Sequence, residues 1–299
     1  EITGAVILNK KLYVFTKFKI FRVSYVGGNP DFSYQDVKDW GAVPRTIKKA
    51  TLPDVGEVII CLSWDKHVRI FDGSEDEIIS TTIEDDNDLS PVFLDNINTA
   101  VIDRCFAELD TNESVYKLWM PLGSSTRPTH MIVYNYRLPK GAFYPYDNQN
   151  FMAAIMAESG NTNDRKLIAV RSSGLVYQLD TSNTDAGVAI NDYYESPFFF
   201  GRSPQVAQKS QRITFCFSVT SSGTVYFQDR VNFSNTFNPV RAVIPFTDTG
   251  GKLQIVKTID IPQTQNVYQF RISSSSSTAE PWQLNRIDYE LSDLGIGKA

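Results

Sequence analysis

Short apolar segments separated by turn residues recur along the first two thirds of the chain, and this pattern constrains the fold most. Residues 166–180 form two apolar stretches around a Ser-Ser-Gly turn, which predicts a β-hairpin. Residues 57–71 show the same arrangement around Asp65 and Lys66. The hairpins recur in units of about 40–50 residues, a period typical of β-propeller blades. A meandering β-sandwich is the alternative for this region.

The sequence predicts an all-β protein in two parts. Residues 1–200 are predicted to form β-propeller-like blades, and residues 201–299 a β-sandwich-like domain. The second part has longer strands with hairpin turns and no blade period. Because the segment after Glu1 has the pattern of a strand within a domain, we expect the propeller to be incomplete at its N-terminus.

Other segments are predicted as turns, loops or a helix. Residues 27–39 begin with Gly-Gly-Asn-Pro, a strong turn signal, and are predicted to be a loop. Residues 84–88 form an acidic run. After this run, Ser90 and Pro91 form a helix-start pattern, which predicts the only helix in the sequence.

Composition and charge exclude some classes of protein. Hydrophobic residues make up 42% of the 299 residues and aromatic residues 12%, which is enough for a packed core. No apolar run is long enough to cross a membrane as a helix. The net charge of -5 means that the whole molecule has no excess positive charge to attract nucleic acid, although an oligomer can still present a basic face.

Three cysteines lie far apart in the sequence. Cys61 and Cys216 are inside apolar strand patterns, and Cys105 precedes another. An odd number of cysteines in such positions predicts free, buried thiols in a reducing compartment. No Cys-x-x-Cys pair or Cys/His cluster indicates zinc.

The sequence contains no clear catalytic or metal-binding motif. His67 and His130 are the only histidines, and neither accompanies a Gly-x-Ser-x-Gly motif, so a Ser–His–Asp triad is not expected. The acidic run lacks the spacing of a calcium-binding loop, which favours a solvated loop. We therefore predict no catalytic residue, no metal site and no cofactor, and hence no enzyme.

Two residue groups keep a carbohydrate-related function open. Glycoside hydrolysis requires a pair of carboxyl groups, for which the formal candidates are Asp65, Asp72, Glu108 and Asp110. Aromatic side chains that stack on sugars could come from Tyr134, Tyr136, Phe143, Tyr144 and Tyr146. Acidic residues are common in hairpin turns and alternating aromatics are common as cross-strand pairs, so structural roles are the expectation for both groups.

Several segments together resemble a family of tailed-phage virion proteins. The segments are KLYVFTKFKIFRV, GAVPRTI, EVIICLSWDKHVRIFDG, IVYNYRLPKGAFYPYD, SSGLVYQLDTSNTDAGVAI and the C-terminal LNRIDYEL. The family comprises neck and tail β-propeller proteins, of the tail nozzle and packaged-DNA stabilisation type. The resemblance spans most of the chain without a single diagnostic motif.

The resemblance implies a structural virion protein of the phage neck or tail, assembled in the host cytoplasm. It implies a homo-oligomeric ring, commonly a homohexamer, that contacts portal, adaptor or other tail proteins. Double-stranded DNA would pass through the ring without sequence-specific contacts and be retained or delivered during viral genome ejection. A ring of this kind requires two different complementary faces on each subunit.

Two other functions remain open from the sequence. The first is a carbohydrate-binding or glycan-cleaving propeller, acting as a receptor-binding tail part. The second is a cellular propeller scaffold that binds a protein partner. Loss of activity on substitution of one carboxylate, such as Asp110→Asn, would distinguish an enzyme from a structural component.

Overall fold

The computed structural model is an all-β structure that divides into two compact units, Glu1–Leu179 and Asp180–Ala299. It describes residues 1–80, 93–138, 142–158, 165–179, 184–185, 188–189, 193–199, 208–219, 222–246, 253–265, 267–274 and 282–293. The acidic run at 84–88 and the predicted helix start at Ser90 and Pro91 lie outside these residues. In the described part of the chain, no helix is long and apolar enough to span a membrane.

The first unit contains fifteen described strands in four sheets. The strands are β1 (Ile2–Leu8), β2 (Lys11–Thr16), β3 (Ile20–Tyr25), β4 (Phe32–Lys38), β5 (Lys48–Leu52), β6 (Gly56–Leu62), β7 (Val68–Phe71), β8 (Asp76–Ile78), β9 (Phe106–Asp110), β10 (Val115–Met120), β11 (His130–Asn135), β12 (Ala142–Tyr146), β13 (Phe151–Glu158), β14 (Arg165–Arg171) and β15 (Val176–Gln178). Sheet 1 is β1–β4, sheet 2 is β5–β8, sheet 3 is β9–β12 and sheet 4 is β13–β15. Each is an antiparallel meander in chain order.

Consecutive sheets of the first unit pack face to face. Phe15 of sheet 1 and Phe71 of sheet 2 belong to one core, and Val58 of sheet 2 and Leu118 of sheet 3 to another. A third core joins Trp119 of sheet 3 to sheet 4. Strand β6 is apolar from Val58 to Leu62 because its alternate residues enter two different cores, as predicted for a strand buried on both faces.

The predicted loop at residues 27–39 is wrong over most of its length. Phe32–Lys38 forms β4, which pairs antiparallel with β3. Tyr25 is opposite Phe32 at one end of the pairing, and Ile20 is opposite Lys38 at the other. Only the segment around the Gly-Gly-Asn-Pro sequence connects the two strands. β4 has polar residues and mostly exposed side chains, so its strand conformation depends on pairing with its neighbour rather than on burial.

A helix that the sequence did not predict lies just before β9. Thr99–Arg104 forms a short 3₁₀ helix before β9, and its cap is Asn98, whose side chain accepts a hydrogen bond from the Ala100 amide at 3.1 Å. The Asn98 side chain also donates to the Ser125 carbonyl at 2.9 Å. The helix start predicted at Ser90 and Pro91 concerns a different segment and stays a prediction.

The second unit contains a two-layer β-sandwich. Its strands are β16 (Thr184–Asp185), β17 (Val188–Ala189), β18 (Tyr193–Glu195), β19 (Gln208–Val219), β20 (Gly223–Val231), β21 (Ala242–Phe246), β22 (Leu253–Gln265), β23 (Tyr268–Ser274) and β24 (Trp282–Asp293). One layer has the order β18-β23-β20-β21 and the other β22-β19-β24. Phe215 and Phe217 from one layer meet Phe227 and Phe270 from the other in a shared core.

Candidate functional site

Asp65 and Asp72 hold turns in sheet 2. Asp65 forms an ion pair with Arg69 at 2.6 Å and accepts a hydrogen bond from the Ser63 hydroxyl. Asp72 accepts hydrogen bonds from the backbone amides of Ser74 at 2.8 Å and Glu75 at 2.7 Å. Burial raises the pKa of each carboxyl, but these hydrogen bonds outweigh it and lower the pKa overall. Both groups are therefore ionised turn-forming residues.

Glu108 and Asp110 of β9 each have a lysine partner. The Lys48 ammonium lies 2.7 Å from Glu108, and the Lys117 ammonium lies 3.3 Å from Asp110. Asp110 and Lys117 are both almost completely buried, and Asp110 also accepts from the Asn112 amide at 3.0 Å. A buried charge of this kind needs such a partner, so Asp110 has a structural role.

The two histidines lie in different surroundings. The Nδ1 atom of His67 is buried without a partner among the described residues, and Nδ1 of His130 lies 2.9 Å from the Thr129 hydroxyl. Within the described ranges, no three His, Cys, Asp or Glu side chains are grouped so that they could hold a metal ion.

The aromatic residues proposed from the sequence divide into core and surface positions. Tyr134 and Phe143 pack against each other with ring centroids 4.9 Å apart, and burial raises the pKa of Tyr134. Tyr136 is partly buried against the same core. Tyr144 and Tyr146 of β12 are 43% and 46% exposed. The expectation that these aromatic residues form cross-strand pairs is therefore confirmed for Tyr134 and Phe143, while Tyr144 and Tyr146 are exposed to solvent.

A shallow cleft in the first unit lies between three strands, and Glu108 is one of its lining residues. The cleft has a volume of about 350 Å³ and is lined by residues of or next to β5, β9 and β13, the first strands of sheets 2, 3 and 4. Arg45 and Lys48 form its basic side, and Ala154 and Ile155 its apolar side. Glu108 is the carboxylate among these lining residues.

A second cleft lies in the sandwich of the second unit, and we call it the edge cleft. Its volume is about 410 Å³. It is lined by Tyr194, Trp282, Leu284, Asn285, Arg286 and Ile287. Tyr194 is on β18 and the other residues are on β24, each an edge strand of its own layer, so the cleft lies at the open side between the layers.

A β-bulge shapes the edge cleft. Cys216 of β19 pairs with Arg286 of β24, and the next residue, Phe217, pairs with Leu284. Asn285 is therefore the extra residue of β24 in this bulge. A bulge changes the direction in which neighbouring side chains point. Here the Asn285 side-chain amide donates a hydrogen bond to the Ser218 hydroxyl at 2.6 Å, which fixes its orientation.

The aromatic rings of the edge cleft are held by the sandwich core. Trp282 packs edge-on against Phe217 with centroids 5.9 Å apart, and Tyr194 packs against Phe270 at 6.1 Å. Burial raises the pKa of the Tyr194 hydroxyl, yet 37% of this residue remains exposed. The Tyr194 ring is thus fixed on one side and accessible on the other, whereas Trp282 is partly buried and its indole nitrogen is enclosed.

The sequence interpretation did not identify the edge cleft. It predicted an alternating strand at 283–291, and a strand at 188–194, without relating the two. The signal that was available is Trp282 directly before the alternating segment. Nothing in the sequence indicates that β18 and β24 are edge strands on the same side of the sandwich.

No protein-family model matches the chain. No curated protein matches it either. Among solved structures, the chain is similar to an exo-beta-1,3-galactanase from Phanerochaete chrysosporium, with 11% identity and a TM-score of 0.32 over 96% of this chain and 80% of that chain. It is also similar to a glycoside hydrolase family 43 arabinoxylan arabinofuranohydrolase from Bacillus subtilis, with 8% identity and a TM-score of 0.26 over 96% and 78%.

These similar structures correct the prediction that the chain is not an enzyme. Both of those proteins are glycoside hydrolases. TM-scores this low do not establish a shared fold, and the choice of site therefore depends on the residues of the chain itself.

Proposed function

We propose that the chain is a carbohydrate-binding protein and that the edge cleft is its ligand site. The observation that carries this proposal is that two partly exposed aromatic residues, Tyr194 and Trp282, line one cleft together with two polar residues, Asn285 and Arg286. Mostly apolar clefts of about 300–1,000 Å³ with a few fixed polar groups are the usual form of a small-ligand site.

The chemistry of a sugar matches this lining. A pyranose ring presents C–H groups on its faces, which pack on aromatic rings, and hydroxyl groups at its rim, which require hydrogen-bond partners. Arg286 supplies guanidinium donors and is oriented by Asp288, whose carboxylate lies 2.8 Å away. Asn285 is oriented by Ser218, so this amide is held in place before a ligand arrives.

Binding of oligosaccharides tests the proposal. We expect cellotetraose or β-1,3-galactotriose to quench tryptophan fluorescence of the protein, and Tyr194→Ala to weaken binding roughly tenfold through loss of about 1.4 kcal/mol of stacking. Trp282→Phe should abolish most of the quenching while it retains part of the affinity. Titration calorimetry gives the affinities.

The matched control is Phe18→Ala, which removes an exposed aromatic side chain from the first unit. Its affinity should equal that of the unchanged protein. Equal binding by the Tyr194→Ala variant, or no binding of either oligosaccharide by the unchanged protein, would contradict the proposal.

Glycan cleavage is a second candidate function, favoured by the position of Glu108 in the cleft of the first unit. In such a reaction Glu108 would act as base or nucleophile, and the Lys48 ammonium, 2.7 Å away, would donate the proton to the leaving oxygen in place of the second carboxyl group that most glycoside hydrolases use. Release of new reducing ends from the same two oligosaccharides is the measurement. We expect Glu108→Gln to reduce this release at least a hundredfold without changing binding at the edge cleft, whereas equal release by the variant would reject the role of Glu108.

We also infer that the first unit is an arc of a β-propeller. This inference is supported by four meandering sheets in chain order, by their face-to-face packing, and by the first strands of sheets 2–4 lining one cleft. A place in a phage neck or tail stays a prediction from the sequence resemblance. In that setting, the edge cleft would suit a receptor-binding part of the tail.

A further inference from the structure

Sheet 1 carries apolar side chains on both of its faces. On one face, residues such as Leu8, Tyr13 and Phe15 are buried against sheet 2. The strand register places Ile7, Leu12, Val23 and Tyr34 in one row on the opposite face, and Tyr25 pairs with Phe32 beside them. We call this second surface the aromatic face.

The aromatic face is open to solvent. Tyr25 is 74% exposed, Tyr34 70%, Ile7 62% and Phe32 48%. Tyr25 and Phe32 contact each other edge to face, with centroids 5.7 Å apart. A contiguous apolar surface of this size on a folded chain marks an interaction site.

Sheet 4 has a second exposed apolar surface, which we call the aliphatic face. Ala154, Met156, Leu167 and Ala169 point towards sheet 3. The alternate residues therefore point away from it, and the register groups them as Ala153 with Val170, Ile155 with Ile168, and Val176 beside Val170. Ile155 is 61% exposed and Val176 68%.

The two faces differ in the size of their side chains in a complementary way. The aromatic face presents large rings, whereas the aliphatic face presents alanine and branched aliphatic residues. The chain already contains a contact of this kind, because Phe106 and Trp119 of sheet 3 pack with Ala169 and Ala154 of sheet 4. Large residues against small ones give the interdigitated packing of protein interiors.

The available area is sufficient for a stable contact. From their exposed fractions, the large side chains of the aromatic face present on the order of 700 Å² of apolar surface, close to the roughly 800 Å² that each partner contributes to a standard interface. The aliphatic face is built on three strands, so it can cover much of this surface.

We propose that the aromatic face of one copy of this chain packs on the aliphatic face of a second copy. In this contact, sheets of two molecules pack face to face in the same way as consecutive sheets of one molecule. Because the two surfaces are different, the interface is heterologous, and repetition closes into a ring or extends as a filament.

The native mass of the protein tests the proposal directly. We expect native mass spectrometry and sedimentation to show assemblies of two or more chains. Tyr34→Asp, on the aromatic face, and Ile155→Asp, on the aliphatic face, should each give monomers because a charge is buried in an apolar contact. The control Val256→Asp introduces the same charge at a residue that is 66% exposed in the other unit, and should assemble normally.

Mixing the two monomeric variants gives a result that only a heterologous contact produces. Each variant retains one intact face, so the mixture should form dimers with one copy of each and nothing larger. Thermal melts followed by circular dichroism check that both variants are folded. A monomeric unchanged protein, normal assembly of both variants, or a mixture that contains only monomers would overturn the proposal.

Discussion

Replacement of Asp229 by alanine is expected to destabilise the second unit by about 3–5 kcal/mol. Asp229 is completely buried in the sandwich. Its carboxylate lies 2.9 Å from the Arg241 guanidinium and accepts hydrogen bonds from the Tyr268 hydroxyl at 3.2 Å and the Asn238 side-chain amide at 2.9 Å. Alanine removes this acceptor, and the buried Tyr268 hydroxyl is then left without the carboxylate that compensates for its lost hydration.

Urea unfolding of the unchanged protein and of the variant measures this effect. The control is Asp288→Ala, which removes a carboxylate from an exposed ion pair with Arg286 and should change the free energy of unfolding by less than about 0.5 kcal/mol. A loss below about 1 kcal/mol for Asp229→Ala would mean that water or other groups replace the carboxylate, in contradiction to its assigned role.

Replacement of Trp119 by alanine is expected to destabilise the first unit by a similar amount, about 3–5 kcal/mol. The indole ring is completely buried between sheets 3 and 4 and stacks on Phe106 with centroids 4.8 Å apart. Neighbouring strands hold the surrounding residues in place, so the cavity cannot fully collapse and the lost contacts add to the lost burial.

Two further variants serve as comparisons for Trp119→Ala. Trp119→Phe keeps most of the aromatic volume and removes an indole nitrogen that has no hydrogen-bond partner among the described residues, so its cost should be less than half that of alanine. Phe18→Ala removes an aromatic side chain that is 68% exposed, and its effect should stay within about 0.5 kcal/mol. Equal stabilities of Trp119→Ala and Phe18→Ala would show that Trp119 does not support the core.

The sequence predicted most strands because their local patterns and their burial agree. The hairpin at 166–180 and the apolar run at 57–64 are both present, as β14–β15 and β6. It failed at β4, where the sequence FSYQDVK follows a strong turn signal, is mostly exposed, and forms a strand by pairing with β3. Local composition does not carry information on such a pairing.

The candidate site was harder to predict than the fold. Glu108, Asp65, Asp72 and Asp110 were identifiable from the sequence, but their lysine, arginine and backbone partners come from the folded arrangement. The edge cleft requires β18 and β24 to border the same opening, which depends on the strand order of two layers. Neither kind of information is encoded in a local pattern.

The three free cysteines differ in a way that has a practical consequence. Cys61 and Cys105 are buried, and burial raises the pKa of each thiol to about 12, so neither reacts readily with electrophiles. Cys216 is only partly buried and lies directly across from Arg286 at the border of the edge cleft. A fluorescent or spin label can therefore be attached selectively at Cys216 without any substitution. A label at this position would report whether a ligand occupies the edge cleft.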